Sequence, residues 1–224
     1  MALNTAWDGK ALASVLRSCG ARTLVASGRF ARHASQATSL QSGLESVLLQ
    51  GSNAGSMDLP PDVRGLSCDE MVGGASAESP GIPISEADVA SIVYTSGSTG
   101  TPHGATLSHA NLCSNVLAIT EYLGLSSDDR VLGVLPFYYV YGKSVLNTHA
   151  AVGGSVVIEN RFQYPSVALD SLEKWHCTGF SGVPSTFAIL LNRSNFSDRA
   201  LPHLRYVTQA GGAMSPDLTR RLIS

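Results

Sequence analysis

The residues best suited to chemistry lie in "IVYTSGSTGTPHG", residues 92–104. An apolar, strand-like run enters a loop of hydroxyl residues and glycines, which leaves through Pro102 and His103. Glycines let successive backbone N–H groups converge into an anion-binding concavity. Thr95, Ser96, Ser98, Thr99 and Thr101 add hydroxyl donors with little bulk. The chemistry this suits is the holding of phosphate. The alternative, a flexible Ser/Gly linker, fits poorly directly after a buried strand such as "SIVYT".

Other well-known loops do not apply. The Walker pattern G-x-x-x-x-G-K-[ST] is not met, and Gly97 and Gly100 are wrongly spaced for G-x-G-x-x-G. No G-x-S-x-G nucleophile elbow occurs. The histidines His33, His109, His149, His176 and His203 have no metal-ligand spacing and read as surface or packed structural residues. His109, beside Ser108 at a helix start, is the one that could approach the loop.

The elements that must position this loop follow from periodicity. "VASIVYT" predicts the strand entering it, and "GATL" a short strand after it. Ser108 then caps a helix with Leu112, Val116, Ile119 and Leu123 on one stripe, ended by Gly124. "DRVLGVLP", "GGSVVIE", "CTGFSGV" and "LRYVTQAGG" predict further strands. Between them lie a short helix through Val145 to Ala151, "YPSVALDSLEKWH" and "PSTFAILLNR", with "SPDLTRRLIS" as a last helix capped by Ser215. In "YPSVALDSLEKWH" the spacing turns Leu169, Leu172, Trp175 and His176 inward.

Upstream, a helix over residues 12–19 stops at Gly20, followed by the buried strands "RTLVAS" and "ESVLLQG". Residues 51–83 shift to Gly, Ser, Pro and Ala, which suits loops around one weak helix. The alternation predicts an α/β fold with a largely parallel sheet and active groups at the strand carboxyl ends.

Composition limits the function classes. Apolar residues make up 44% and charged residues 14% of 224, as expected of a folded chain with a sizeable core. A net charge of −2, with no block of like charge, gives no nucleic-acid footprint. The apolar run over residues 131–142 is too short to span a bilayer, and the first residues carry no signal pattern, so a cytoplasmic location is the expectation. Cys19, Cys68, Cys113 and Cys177 are too scattered for a zinc site and read as reduced, mostly buried thiols.

"YTSGSTGTPHG" resembles the phosphate loop of the adenylate-forming superfamily, which comprises acyl-CoA synthetases, luciferases and adenylation domains of nonribosomal peptide synthetases. The family pattern is tyrosine followed by T-S-G-S-T-G-x-P-K-G, and only the lysine differs, being His103 here. "LPFYYVYG", "GVPSTFAILL" and "QAGGAMSPDL" are similar to further family segments in the same order.

The resemblance implies the large amino-terminal domain of such an enzyme, with mixed, mostly parallel sheets flanked by helices. It implies ATP-dependent activation of a carboxylic acid to an acyl-adenylate. Transfer to coenzyme A or a carrier pantetheine follows, with Mg2+ as cofactor and an acyl carrier protein as one candidate partner. Thr95, Ser96, Gly97, Ser98, Thr99, Gly100, Thr101, Pro102, His103 and Gly104 then form the phosphate cradle, with Thr95 the candidate toward the metal. Gly211, Gly212 and Ala213 line the adenine and acyl pocket, unless Gly211 and Gly212 make an ordinary strand-to-helix turn. Tyr139 stands where the family commonly has histidine and either orients the acid or packs among Phe137, Tyr138 and Tyr141.

Residues 131–158 contain no Asp or Glu to pair a substrate ammonium, which favours a fatty or aryl acid over an amino acid. Against the family pattern, the Y-G-x-T-E motif, the ribose aspartate and the small carboxyl-terminal domain with its lysine are absent from residues 1–224. The expectation is therefore that residues 1–224 are a partial large domain, missing its start, its carboxyl-terminal part and the small domain, inactive alone and with no complete catalytic set. The competing readings are a non-catalytic nucleotide-binding module and part of an amino-acid-activating domain. A histidine with the ordinary pKa is only roughly a quarter protonated at pH 7, so ATP binding by a full-length version with His103 is expected to strengthen at lower pH.

Overall fold

The computed structural model describes residues 1–40, 43–51, 57–96 and 102–223. Its contacts divide the chain into two compact units, one of residues 3–85 and 94–105 and one of residues 1–2, 86–93 and 106–224.

In the first unit, α1 (Gly9–Ser18) is capped by the Asp8 carboxylate, which accepts from the Ala11 N–H at 2.9 Å. The strands β1 (Thr23–Ser27), β2 (Ser46–Gln50) and β3 (Arg64–Ser67) form a parallel sheet in the order β1-β2-β3. Between β1 and β2, α2 (Ala31–Ser39) turns Ala34, Ala37 and Thr38 inward, and α3 (Cys68–Gly73) follows β3. Leu12, Leu16, Leu24, Val47 and Leu49 make the apolar core.

Two expectations are corrected here. β1 lies at the sheet edge, so Leu24 is buried but Val25 is 64% exposed. β3 falls inside the stretch expected to be loops. Its residues Arg-Gly-Leu-Ser show no apolar alternation, and pairing to β2, Ser46↔Arg64 through Leu49↔Ser67, makes it a strand.

In the second unit, β6 (Arg130–Gly133), β7 (Ser155–Ile158), β8 (Gly179–Gly182) and β9 (Tyr206–Gln209) form a parallel sheet in the order β7-β6-β8-β9. The helices are α4 (His109–Leu123), α5 (Val140–Ala151), α6 (Pro165–Lys174), α7 (Pro184–Arg193) and α8 (Pro216–Ile223). Leu132, Leu169, Leu172, Phe180, Phe187 and Leu190 form its core. The strands β4 (Val89–Ser96) and β5 (Pro102–Ser108) pair as a two-stranded sheet, and each passes from one unit to the other.

Trp175 and His176 do not point inward as expected. α6 stops at Lys174, Trp175 is the cap and 46% exposed, and His176 turns the chain away at φ 49°. Among the cysteines only Cys177 is buried, although all four are free thiols. Among the described residues no helix is long and apolar enough to cross a membrane.

Candidate functional site

The strand that enters the glycine loop is pinned by its tyrosine. Tyr94 Oη lies 2.5 Å from Ser18 Oγ and donates to the Val15 carbonyl at 3.3 Å, both on α1. The Trp7 ring meets the Tyr94 ring edge-on at 6.1 Å. Thr95 beyond it is exposed, and the Ser96 backbone closes β4. Gly97, Ser98, Thr99, Gly100 and Thr101 lie outside the described residues, as does the Ser96 side chain. The exit is β5, where Pro102 is half-buried and His103 and Gly104 are exposed.

Ser108 caps α4 as predicted. Its hydroxyl accepts from the Asn111 N–H at 3.2 Å while Asn111 Oδ1 accepts from the Ser108 N–H at 3.0 Å. The carbonyls of Asp88 and Glu86 accept the next two helix N–H groups, from His109 and Ala110. His109 is half-buried.

In the second unit the loops gather at the strand carboxyl ends. Tyr139 stands at the cap of α5, and its N–H donates to the Pro136 carbonyl at 3.1 Å. One turn in, Gly142 lies against the Leu135–Pro136 backbone so closely that a Cβ would stand 2.4 Å from the Pro136 oxygen. Tyr139 itself is 52% exposed and leans on Tyr138 with ring centroids 4.6 Å apart, so it is not a core aromatic. Tyr141 turns to the sheet, and its hydroxyl meets Thr208 Oγ1 at 2.8 Å, which meets Ser181 Oγ at 2.8 Å. Burial pushes the Tyr141 hydroxyl above its ordinary value, against the bonds from Thr208 and Ser181. This three-hydroxyl chain carries no local sequence signal, because its members come from α5, β8 and β9.

Beyond β9, Gly211 and Gly212 are exposed, and the Gln209 amide donates to the Gly212 carbonyl at 2.8 Å. Gly211 sits at φ 85°, and a Cβ there would stand 3.1 Å from Val183 Cγ1, so both conformation and space call for glycine. Val183 and Pro184 back these glycines, while Ala213 is exposed beside them. Bare backbone of this kind leaves room for a flat group to approach closely. Among the described residues no group of three or more His, Cys, Asp or Glu could hold a metal ion.

The amino-terminal ends of the same strands are different. Asp129 accepts two bonds from Arg205 Nη2 at 2.8 Å, one from the Ser126 N–H at 2.9 Å and one from Thr178 Oγ1 at 2.8 Å. Burial raises the Asp129 pKa, but the bonds from Arg205, Ser126 and Thr178 outweigh it and leave the carboxyl below its ordinary value. His149 is buried, with Nδ1 2.8 Å from the Val145 carbonyl and Nε2 2.7 Å from Tyr206 Oη. A carbonyl only accepts, so Nδ1 carries the proton and Nε2 accepts from the tyrosine. Burial holds the His149 pKa below 6.5, against the Val145 bond and the Asp129 charge.

One Gly-Lys-Ser triplet does occur, at residues 142–144, but Phe137 stands where the Walker pattern needs its first glycine. The triplet lies within α5 and not in a strand-to-helix loop.

The fold, parallel sheets flanked by helices, is that of the large domains of adenylate-forming enzymes. The family profile of AMP-binding enzymes matches residues 1–224, and the chain belongs to that family. Among curated proteins it is 32% identical over 160 residues to an oxalate–CoA ligase of Saccharomyces cerevisiae, covering 71% of this chain and 29% of that one. A feruloyl-CoA synthase of Amycolatopsis sp is 32% identical over 153 residues, covering 66% and 30%. Among solved structures, ATP-bound MatB from Rhodopseudomonas palustris superposes with a TM-score of 0.79 at 28% identity, covering 98% of this chain and 41% of that one. The anthranilate CoA ligase AuaEII, with anthranoyl-AMP, has a TM-score of 0.85 at 23% identity, which speaks for the fold alone. The chain thus spans about a third of the length of these curated relatives.

Proposed function

We propose that this chain is part of the large domain of an ATP-dependent carboxylic acid–CoA ligase that activates its acid as an acyl-adenylate. The observation that carries the reading is the sequence of residues 94–104, set between β4 and β5 and matching the family's phosphate loop in all but one residue. The relatives support it, being CoA ligases and synthases by name.

In this reading the loop amides and hydroxyls hold the β- and γ-phosphates while Gly211 and Gly212 let the base approach. ATP supplies the adenylyl group and pyrophosphate leaves. Positioning and charge stabilisation provide most of the acceleration. Tyr139, exposed at the start of α5, is free to orient the acid's carboxylate. The absence of Asp and Glu from residues 131–158 favours an acid with no α-amino group. Mg2+, the thiol acceptor and a fatty or aryl acid are the finer parts of the proposal.

The test is titration of ATP into the 224-residue chain together with an acid-dependent ATP–pyrophosphate exchange assay. Binding is expected, weakened roughly tenfold or more by Gly100→Val, which removes a loop glycine (tenfold is about 1.4 kcal/mol). Exchange by this chain alone is not expected. Absence of ATP binding sinks the nucleotide reading. Exchange without further sequence sinks the view that the catalytic set is incomplete within these residues.

A further inference from the structure

The α5 face turned away from Tyr141 carries a cleft, lined by both polar and apolar side chains, that the nucleotide and acid reading does not use. It lies between α4 and α5, with a volume of about 230 Å3. Lys143, Ser144 and Asn147 line it from α5, at spacings that put them on one helix face, and Asn111 and Asn115 line it from α4.

Hydrogen-bond bookkeeping leaves this cleft rich in donors. Asn111 Oδ1 already accepts from the Ser108 N–H and, at 3.1 Å, from the Ser108 hydroxyl. Asn115 Oδ1 accepts from Ser144 Oγ at 3.2 Å. With both carbonyl oxygens committed, each amide presents its NH2 group. The Asn147 side chain makes no hydrogen bond among the described residues, and its amide adds two more donors. The Lys143 ammonium donates to Ser91 Oγ and keeps two hydrogens.

Charge bookkeeping points the same way. No Asp or Glu lines the cleft, and Lys143 has no carboxylate partner among the described residues. A half-buried ammonium satisfied by one neutral hydroxyl is short of a counter-ion. Leu107, Leu112 and Val140 complete the lining and strengthen any charge-assisted bond made there.

We propose that this cleft binds a small carboxylate, held by Lys143 and oriented by the amides of Asn111, Asn115 and Asn147. A single cation matches a single negative charge, and planar amide donors match the two in-plane oxygens of a carboxylate. The site is separate from the strand-end glycines and does not rest on the ligase reading.

The test follows the asparagine side-chain amide resonances of the 15N-labelled chain during titration with sodium acetate, sodium chloride and inorganic phosphate at matched ionic strength. Acetate is expected to shift the three amide pairs saturably, with a Kd of roughly 1–10 mM. Lys143→Arg should keep this response and Lys143→Met should abolish it. Because Lys143→Met also removes the bond to Ser91, Asn147→Leu serves as a second variant. It should weaken acetate several-fold while the backbone spectrum stays in place. The proposal is overturned by an absence of saturation, equal shifts with chloride, preference for phosphate, or a Lys143→Met response equal to that of the parent chain.

Discussion

At the amino-terminal ends of β6, β8 and β9 the fastenings centre on a buried carboxylate, that of Asp129. At their carboxyl ends they are neutral hydroxyls and close backbone contacts. Asp129, Thr178 and Arg205 stand just before the three strands and tie them in one network, with His149 and Tyr206 beside it. Across the sheet, Tyr141, Thr208 and Ser181 share two weak-acid hydrogen bonds, and Gly142 and Gly211 leave backbone exposed to close approach. The first end specifies which strand lies beside which, because each wrong neighbour strands a buried charge. The second end is made of groups that can exchange partners with a ligand at small cost. Glu159, at the carboxyl end of the edge strand β7, departs from this division. Its bonds from Arg161 first, and from Ser171, outweigh burial and lower its pKa from 4.5 to about 2.

Asp129→Ala is the strongest test of that contrast. It removes the acceptor shared by Arg205, Thr178 and the Ser126 N–H, leaving Arg205 its bonds to the Leu123 and Gly124 carbonyls, and should cost about 2 kcal/mol. Urea unfolding in a Trp7→Phe background reads this through Trp175, the remaining tryptophan, which lies in the same unit. A loss no larger than that of a surface substitution would mean the charged end does not hold the sheet.

Acid is the next perturbation. His149 is held neutral, so the unfolded chain takes up its proton first, and stability should fall as the pH drops below 6.5. Glu159 has a depressed pKa, so its contribution is full above 4.5 and is lost as the pH falls toward 2. The direction for Asp129 is the same. The urea midpoint at Trp175 should therefore decline in two stages, and His149→Phe should flatten the upper one. A midpoint constant from pH 7 to 5 would remove His149 from the account.

Thr208→Val should have the smallest effect. It deletes the central hydroxyl at the carboxyl end while keeping the side-chain shape, and should cost about 1 kcal/mol or less. If it matched Asp129→Ala, the two ends would not differ in kind.

Much of the fold could be read before any coordinates. Pro184–Arg193 is helical over the residues that its pattern marked, and Ser108 caps α4 with its apolar stripe half-buried. These elements are local. Each depends on a cap, a proline or a period of three to four residues. The errors fall where a neighbour decides. β3 is a strand because β2 offers a ladder, and β1 is open on one side because nothing pairs with its far edge among the described residues. The inward expectation for Trp175 continues a helical period past Lys174, where α6 ends.

For the candidate site, the glycine loop was recognisable from its composition, and Gly211, Gly212 and Tyr139 from resemblance. The geometry puts the two glycines against Val183 and Pro184 and leaves Tyr139 exposed, while the loop's center, residues 97–101, lies outside the described residues.

By itself, then, the sequence determined the alternation of strands and helices, the helix caps and the chemical character of the loop. Those depend on residues within a few positions of one another. Only the tertiary structure decided that Tyr141 would meet Thr208 across 67 positions, that His149 would accept from Tyr206 across 57, and that Lys143 would face three amides without a carboxylate. Each of those depends on which strand lies beside which, and strand order in a parallel sheet is settled by burial and buried polar pairing over distances that no local pattern spans.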